Sequence, residues 1–168
     1  MTTRGRGGPL VGLNPLPRVA RALGRHAWLM RLAPVISPAD RLLHRVSRGR
    51  LTLVGLAGLP SLRLHTTGRK TGLTRTNDLL YTPYGDRYVV VGSGWGRPNH
   101  PAWTVNLMAD PDATIVVRGR TVPVTARQVT GPEQDEIWAL AVQGWPGYEV
   151  ERRMACRDFR IFVLTPRP

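Results

Sequence analysis

The chain has 168 residues, which is the size of one domain with a buried core. Its 24 basic residues against 11 acidic ones give a formal net charge of +13, which favours encounters with polyanions without choosing among nucleic acid, an anionic bilayer and a phosphorylated cofactor. One cysteine and four scattered histidines exclude an internal disulfide and offer no metal-ligand spacing, so no metal is expected. A reducing, cytoplasmic location fits this cysteine content.

Residues 1–50 form a basic segment with ten arginines and one acid, Asp40. Within it, Leu16 to Leu32 places apolar side chains at helical spacing and arginines elsewhere on the wheel, which predicts a basic amphipathic helix. A cap, a first-turn proline and an acid at Ser37 to Asp40 predict a second helix that ends near Ser47. Such helices fit either packing on their own domain or lying on an anionic membrane surface. The second interpretation would place the protein on the inner face of the membrane.

Residues 51–168 form a second unit, in which strand and turn patterns alternate. Leu51 to Leu59 is apolar but too short to cross a bilayer, so it is interpreted as a core strand or a wall near a site. The predicted strands are Ser61 to Thr67, Leu73 to Thr82, Arg87 to Gly92, Ala113 to Val117, Thr121 to Val129 and Phe159 to Leu164. The predicted helices run from Pro101 to Asp110 and from a capping box at Thr130 to Glu133 as far as Val142, and Tyr148 to Met154 is interpreted as a short polar segment. Six or seven strands in hairpins with inserted helices predict an α+β fold built on an antiparallel barrel.

A loop with the sequence G-R-K-T-G, at Gly68 to Gly72, follows the strand at Ser61 to Thr67. Glycines let backbone N–H groups converge, and a guanidinium and an ammonium add charge-assisted hydrogen bonds to phosphate oxygens. Lys70 is the sole lysine of the chain, which indicates that a compact point charge is wanted there. Taken alone, the loop is consistent both with a solvated hairpin turn and with an anion-binding site.

A second glycine-rich loop, G-S-G-W-G at Gly92 to Gly96, follows a strand that reads as buried. Its small residues would admit a planar group close to the backbone. Pro101 then suits the first position of a helix that carries Trp103 and Asn106. The chain has neither a helix-turn-helix pattern nor a ribonucleoprotein-type aromatic strand, so nucleic acid is not expected as a partner.

Several motifs occur in a fixed order between Leu62 and Leu164. They are T-T-G-R-K-T-G at Thr66 to Gly72, T-R-T-N at Thr74 to Asn77, R-Y-V-V-V-G-S at Arg87 to Ser93, H-P-A-W-T-V-N-L at His100 to Leu107, D-P-D-A-T-I-V-V from Asp110 and W-P-G-Y from Trp145. This ordered set resembles the deazaflavin-dependent nitroreductase family, the split β-barrel reductases that use coenzyme F-420. The resemblance implies a split β-barrel with peripheral helices, coenzyme F-420 rather than FMN as the cofactor, and a homodimer as one possible assembly.

The resemblance also implies roles for individual residues. Arg69, Lys70 and Thr71 would hold the phosphate and acidic tail of the cofactor, with Arg75 and Asn77 in support. The deazaflavin ring would lie against two further sets, Gly92, Ser93, Gly94, Trp95 and Gly96 on one side, and His100, Pro101, Ala102, Trp103 and Asn106 on the other. Trp145, Tyr148 and Glu151 would cap the substrate, and Ser93 and Tyr148 are the candidate catalytic hydrogen-bond donors.

Three positions depart from the family pattern. Asp78 stands in place of the more usual proline after Asn77, which is expected to affect only local strand geometry. Gly94 stands where members often have a lysine, which puts the cofactor contacts at that point in question. Glu151 stands where some members have a third aromatic ring. An acid at the mouth of the substrate site would disfavour anionic acceptors, so the sequence predicts a preference for neutral ones.

The reaction that the resemblance implies is hydride transfer from reduced coenzyme F-420 to a small planar acceptor, such as a quinone, an enone or a nitroaromatic compound. The protein would stack the ring, orient the acceptor and donate hydrogen bonds to the charge that develops on it. Two alternatives stay open at this stage. One is a protein that sequesters a deazaflavin or flavin without turnover, and the other is a basic peripheral membrane protein that acts through residues 1–50.

Overall fold

The computed structural model describes residues 15–28, 32, 46 and 57–168. The strands in this part of the chain are β1 (Ser61–Thr67), β2 (Thr74–Leu80), β3 (Thr82–Tyr84), β4 (Arg87–Val91), β5 (Asp112–Val117), β6 (Arg120–Gln128) and β7 (Ile161–Pro166). The helices are α1 (Leu16–Gly24), α2 (Ala102–Ala109), α3 (Glu133–Gly144) and α4 (Gly147–Ala155), with one 3-10 turn at Gly94–Gly96. The predicted helix at Ser37 to Ser47, apart from Val46, and most of the predicted apolar segment at Leu51 to Leu59 lie outside the described residues.

Hydrogen bonds join the strands in the order β2-β1-β5-β6-β7-β4-β3, and every pairing is antiparallel. β2 and β4 lie five positions apart in this order yet come into contact, so the sheet curls back towards itself. The predicted antiparallel split barrel is therefore confirmed. The curl brings the loop after β1 and the loop after β4 to the same side of the molecule.

The neighbouring strands β4 and β7 bury both of their faces. Val90 and Phe162 pack in the cluster that β1, β5 and β6 also line, while Val89 and Ile161 pack on the opposite face, against α3 and α4. Two-sided burial explains why both strands read as continuous apolar runs instead of alternating ones. It also explains why α4 lies close to the loop that follows β4.

Two strand predictions need correction. The predicted single strand Leu73 to Thr82 is two strands, because Tyr81 leaves the ladder and donates its N–H to the Pro60 carbonyl oxygen at 3.1 Å. Its ring is buried and meets the ring of Tyr88 edge-on, with centroids 5.3 Å apart. The last strand begins at Ile161, two residues later than predicted, since Phe159 packs against the Trp138 ring at 6.1 Å before the ladder starts.

Two helix predictions are also wrong. Tyr148 to Met154 is not a polar segment but lies within α4, which begins after Pro146 and has Glu149 in its first turn and arginines in its last, in agreement with the helix dipole. The capping box at Thr130 is not formed, and α3 has no side-chain cap. Glu133 instead accepts two hydrogen bonds from the Arg127 guanidinium, at 2.7 and 2.8 Å.

Helix α1 is docked on the barrel through one face. Arg21 Nε donates to the Gly144 carbonyl oxygen at 3.0 Å, and a Cβ atom at Gly24 would lie only 2.5 Å from the Trp145 indole, so the backbone of α1 lies directly against this ring. The predicted amphipathic helix is thus present, although α1 ends at Gly24. None of the helices that can be described is long and apolar enough to span a bilayer.

Candidate active site

The loop between β1 and β2 is shaped by its own backbone. The Gly68 N–H donates to the Leu73 carbonyl oxygen at 2.8 Å, and the Gly72 N–H donates to the Gly68 carbonyl oxygen at 2.7 Å. These bonds close the turn and leave the side chains of Arg69 and Lys70 exposed at its tip. Two cations held on a tight turn form the electrostatic half of an anion site.

Asn106 fixes this loop from the neighbouring helix α2. Its Oδ1 accepts the Arg69 N–H at 3.2 Å, and its Nδ2 donates to Thr66 Oγ1 at 3.1 Å. Both Asn106 and Thr66 are buried. The side-chain amide of Asn106 therefore joins the end of β1 to α2. The sequence predicts Asn106 as a contact of the deazaflavin ring, and in the structure it also binds the loop at Gly68 to Gly72.

The loop opens onto a groove with a volume of about 740 Å³. Its lining includes the predicted residues Arg69, Lys70, Thr71, Arg75, Asn77, Ala102, Trp103 and Asn106. The Arg75 guanidinium donates to Thr71 Oγ1 at 3.4 Å, so β2 supports the loop in the way that the sequence predicts. The groove suits a long anionic ligand, because guanidinium, ammonium, amide and hydroxyl groups follow one another along an open channel.

The loop after β4 makes an unusual backbone turn. Gly94, Trp95 and Gly96 all have positive φ angles, of 61°, 61° and 71°. At Gly94 a Cβ atom would also lie 3.1 Å from Pro101 Cγ, so any side chain at this position would be strained by its φ and crowded by Pro101. The departure from the family lysine at Gly94 is thus required by the local backbone of this chain.

Arg157 holds this loop in place, and the sequence analysis did not identify it. Its guanidinium donates to the carbonyl oxygens of Gly92, Ser93, Arg97 and Asn99 at 3.0 to 3.2 Å. It also donates to His100 Nδ1 at 3.1 Å, which makes that nitrogen an acceptor and leaves the imidazole proton on Nε2. Burial, and then the charges of Arg160 and Arg157, lower the pKa of His100, in agreement with a neutral ring.

A second cavity, of about 270 Å³, adjoins the groove. Asn77 and Trp103 line both cavities, so the two cavities lie side by side. The remaining lining is Leu59, Asp78, Leu79, Leu80, Val91, Ser93, Gly94, Trp95, Pro101, Trp145, Tyr148 and Glu151. Most of this surface is apolar, with a few polar groups among aromatic rings, as in sites that take flat conjugated molecules. This cavity is called the acceptor pocket below.

Glu151 lies in the wall of the acceptor pocket, with 4% of its surface exposed. Trp145 Nε1 donates to its Oε1 at 3.2 Å. The Ser93 hydroxyl and the Trp95 backbone N–H act on its carboxyl as further hydrogen-bond partners that lower its pKa. Burial raises the pKa of Glu151, against the opposing effect of these hydrogen bonds and of the Arg157 charge. The acid is therefore part of the packed wall and not an open charge at the mouth of the pocket.

Tyr148 and Trp145 complete the same wall. Tyr148 is 5% exposed, and burial followed by the nearby Glu151 raises the pKa of its phenol, so the hydroxyl keeps its proton. The Trp145 indole is wedged between Gly147 on α4 and Gly24 on α1. Helix α1 thus supports the wall of the pocket from outside.

The structure brings most of the predicted site residues together. Gly92, Gly96 and His100 do not line either cavity: Gly92 packs against Thr104, Gly96 packs against the backbone of α4, and His100 binds Arg157. They shape the loop without facing the cavities. The cationic groove and the apolar pocket meet at one shared wall, which fits a cofactor with an acidic tail and a planar ring.

Comparison with known proteins agrees with this geometry. A family model described as F-420H(2)-dependent quinone reductase matches residues 42–166. An F-420H(2)-dependent quinone reductase of Mycobacterium tuberculosis is 34% identical over 154 residues, which cover 89% of this chain and 99% of that protein. The solved structure of an F-420-H2 dependent reductase is 31% identical, with a TM-score of 0.58, over 62% of this chain and 93% of that one. A domain-swapped dimer is 28% identical, with a TM-score of 0.60, over 76% and 98% of the two chains.

The fold is the split barrel of the F-420-H2 dependent reductase that it resembles. The matched residues cover most of the chain, and the chain belongs to the F-420H(2)-dependent quinone reductase family. It is an enzyme that uses coenzyme F-420 as its cofactor, and quinone is the acceptor that the family membership supports among those left open by the sequence.

Proposed function

We propose that the two cavities of the reductase bind different parts of its substrates. The groove beside the G-R-K-T-G loop holds the phosphate and acidic tail of the cofactor, and the acceptor pocket holds its ring edge together with the quinone. The main observation in support of this proposal is that Asn77 and Trp103 line both cavities. A molecule bound by its anionic end in the groove can therefore present its planar end in the pocket.

Each group of residues then has a defined part. Reduced coenzyme F-420 supplies a hydride when it is bound. Arg69 and Lys70 bind the anionic tail, Gly94 lets the planar group approach the backbone, and the apolar walls exclude water. Ser93 and Tyr148 lie in the same wall and donate hydrogen bonds to a quinone oxygen as negative charge develops on it.

The acceptor in this proposal is a neutral quinone. Among the described residues that line the acceptor pocket, none carries a positive charge, while Asp78 and Glu151 are acidic. A carboxylated acceptor would lose hydration in the pocket without gaining a cationic partner, which is costly. The expected selectivity is the one that the sequence predicts, but it comes from the whole lining and not from Glu151 at an open mouth.

The test combines binding with turnover. Titration with coenzyme F-420, NADPH and FMN, followed by fluorescence, should show tight binding of coenzyme F-420 alone. Oxidation of the reduced cofactor should then be faster with a neutral quinone than with the same quinone carrying a carboxylate. Equal rates for the two quinones would contradict the proposed pocket, and tight binding without turnover would favour a sequestering role.

A second proposal concerns helix α1 and an anionic membrane surface. Leu16, Val19 and Leu23 are spaced along one face of α1, and 40% to 52% of their surface is exposed. Exposed Arg18 and Arg25 flank this apolar stripe. Apolar side chains bordered by arginines suit the boundary between acyl chains and anionic headgroups. The proposal places the protein peripherally on the inner face of the membrane, close to lipid-dissolved quinone.

Vesicle sedimentation tests this surface. The full chain should bind vesicles with anionic lipid and not zwitterionic ones, and binding should weaken with salt. Val19→Asp should abolish binding, whereas Met108→Asp adds the same charge at an exposed position on α2 and should leave it unchanged. Equal binding of both variants would exclude α1 as the lipid surface.

A homodimer is the third proposal, supported by the domain-swapped relative. Light scattering after gel filtration should give twice the mass of the chain. If Val19→Asp converts a dimer into a monomer, the apolar stripe of α1 is covered by a second copy and not by lipid.

A further inference from the structure

The roles proposed above assign no residue to one requirement of quinone reduction, which is the supply of a second proton. A hydride brings two electrons and one proton, so a neutral quinone needs one more proton to become a hydroquinone. This proton must reach a quinone oxygen inside a pocket whose walls exclude water. The buried acid Glu151 has no part in the chemical step so far, and the Ser93 hydroxyl lies beside it in the same wall as a hydrogen-bond partner.

We propose that Glu151 supplies this proton through the Ser93 hydroxyl, an inference that rests on the proposed function. As hydride reaches the quinone, the Ser93 O–H bond breaks and its proton moves to the quinone oxygen. The serine oxygen takes the proton of the Glu151 carboxyl in the same step. The quinone gains one hydride and one proton, Glu151 becomes a carboxylate, and solvent restores its proton after the hydroquinone leaves.

The contacts of Glu151 suit both of its protonation states. As an acid, it donates its proton to Ser93 Oγ, which leaves the serine O–H free to point into the pocket. As a carboxylate, it accepts from the Trp145 indole N–H, the Trp95 backbone N–H and the Ser93 hydroxyl. The described residues include no buried side-chain polar atom without a partner, so this network is complete before any ligand binds.

Tyr148 is the competing proton source, and its surroundings argue against that role. Its phenol lies on the same helix as Glu151, one turn earlier, and is buried. Loss of its proton would place a phenolate beside an acidic side chain in an apolar wall, and the pKa of Tyr148 is raised accordingly. Tyr148 therefore acts as a hydrogen-bond donor that keeps its proton.

The charged groups around Glu151 set the direction of its pH dependence. Tyr148 on α4 and Asp78 on β2 lie in the same wall, and the charge of Arg157, after α4, favours the carboxylate. Burial dominates and raises the pKa of Glu151. The protonated form is therefore retained to a higher pH than in a free glutamate. We expect kcat for quinone reduction to fall as the pH rises through this pKa.

Glu151→Gln separates proton supply from structure. Glutamine has the same shape, accepts from Trp145 and Trp95, and donates its amide to Ser93, so it copies the protonated acid without a proton to transfer. We expect kcat for a neutral quinone to fall about 100-fold or more, with little change in KM, and its pH dependence to disappear. Glu149→Gln is the matched control, because it removes the same charge from an exposed position on α4.

A second acceptor makes the test independent of folding. An N-alkylated acridinium is a cation that becomes neutral when it gains a hydride, so its reduction needs no proton. Glu151→Gln should slow quinone reduction and leave acridinium reduction within about threefold of the wild type. Equal losses with both acceptors would overturn the proposal and assign Glu151 a structural role. Additive losses in the Glu151→Gln, Ser93→Ala double variant would also overturn it, because a relay predicts non-additivity.

A measurement on the cofactor-free protein completes the test. Infrared spectra should contain the carbonyl band of a buried carboxylic acid that is present in the wild type and in Glu149→Gln and absent from Glu151→Gln. An ionised Glu151 at the pH of the assay would overturn the relay while leaving the proposed function intact. If the wild type binds coenzyme F-420 and reduces no quinone, the proposed function itself is wrong, whatever the state of Glu151.

Discussion

Lys70 lies exposed at the tip of the loop that opens onto the groove. Lys70→Ala should weaken coenzyme F-420 binding by roughly 1.5–3 kcal/mol, which is about 10- to 150-fold in Kd, because one ionic hydrogen bond to the anionic tail is lost. Fluorescence titration of the cofactor measures this change. Arg120→Ala removes an exposed cation from the start of β6 and should have no effect. Equal weakening by both would indicate that the net charge acts, and not the loop.

Arg157 organises the second loop through four carbonyl oxygens and one imidazole. Arg157→Lys keeps the charge, but an ammonium group cannot reach all these acceptors at once. We expect the free energy of unfolding to fall by about 1.5–3 kcal/mol. Cofactor binding should weaken as well, since the ring-binding turn loses its support.

Chemical denaturation and cofactor titration together check the Arg157 prediction. Arg153→Lys is the control, because Arg153 is exposed on α4 and makes none of these contacts. An unchanged stability in Arg157→Lys would show that the loop holds its shape through its glycines alone.

At the scale of elements, the contact between α1 and Trp145 predicts that replacing a helix glycine with alanine destabilises the protein. Alanine is favoured over glycine in a helix by about 1 kcal/mol, so Gly24→Ala in isolation should stabilise the protein. In the fold, the added methyl group would meet the Trp145 indole at 2.5 Å. We expect a net loss of about 1–3 kcal/mol instead, with a change in tryptophan fluorescence.

Thermal unfolding gives the sign of the Gly24→Ala effect. The matched variant Ala22→Gly, at an exposed position of the same helix, should destabilise by helix propensity alone and leave the fluorescence unchanged. A stabilised Gly24→Ala would mean that α1 does not rest on the pocket wall.

The elements differ in how far the sequence predicts them. β1 has the predicted bounds because its buried and exposed residues alternate, and β4 is recognisable by its apolar run and the turn at Gly85. α4 was missed because Glu151 interrupts the apolar face that the helix buries. The glycine loops were predicted from local sequence, whereas Arg157 was not, since its partners lie 57 to 65 positions away.

At the scale of the whole molecule, Glu133 and Glu151 make the free energy of unfolding change with pH in opposite directions. Arg127 lowers the pKa of Glu133 in the folded state, so the stabilisation from this pair is present above the unfolded pKa and is lost as the pH falls. Burial raises the pKa of Glu151, so its contribution is fully present below the unfolded pKa and is lost as the pH rises through the folded one.

Urea unfolding over a range of pH separates the two slopes. The stability difference between wild type and Glu133→Gln should shrink towards acid pH. The difference between wild type and Glu151→Gln should be small at acid pH and grow towards alkaline pH, where Glu151→Gln becomes the more stable, because glutamine copies the protonated acid and does not ionise. Glu149→Gln should track the wild type throughout, because Glu149 is exposed. Parallel curves for all three variants would show that neither acid has a shifted pKa in the folded state.

Asn77 and Trp103 line both cavities, and this shared wall should fix the order in which cofactor and quinone bind. A cofactor seated in the groove covers this wall and completes one side of the space into which the quinone must fit. The quinone should therefore bind productively only after the reduced cofactor, and both molecules should be present together in a ternary complex. Initial rates measured against both concentrations should give intersecting double-reciprocal lines, with the quinone as the second substrate, whereas parallel lines would mean that the first product leaves before the quinone enters.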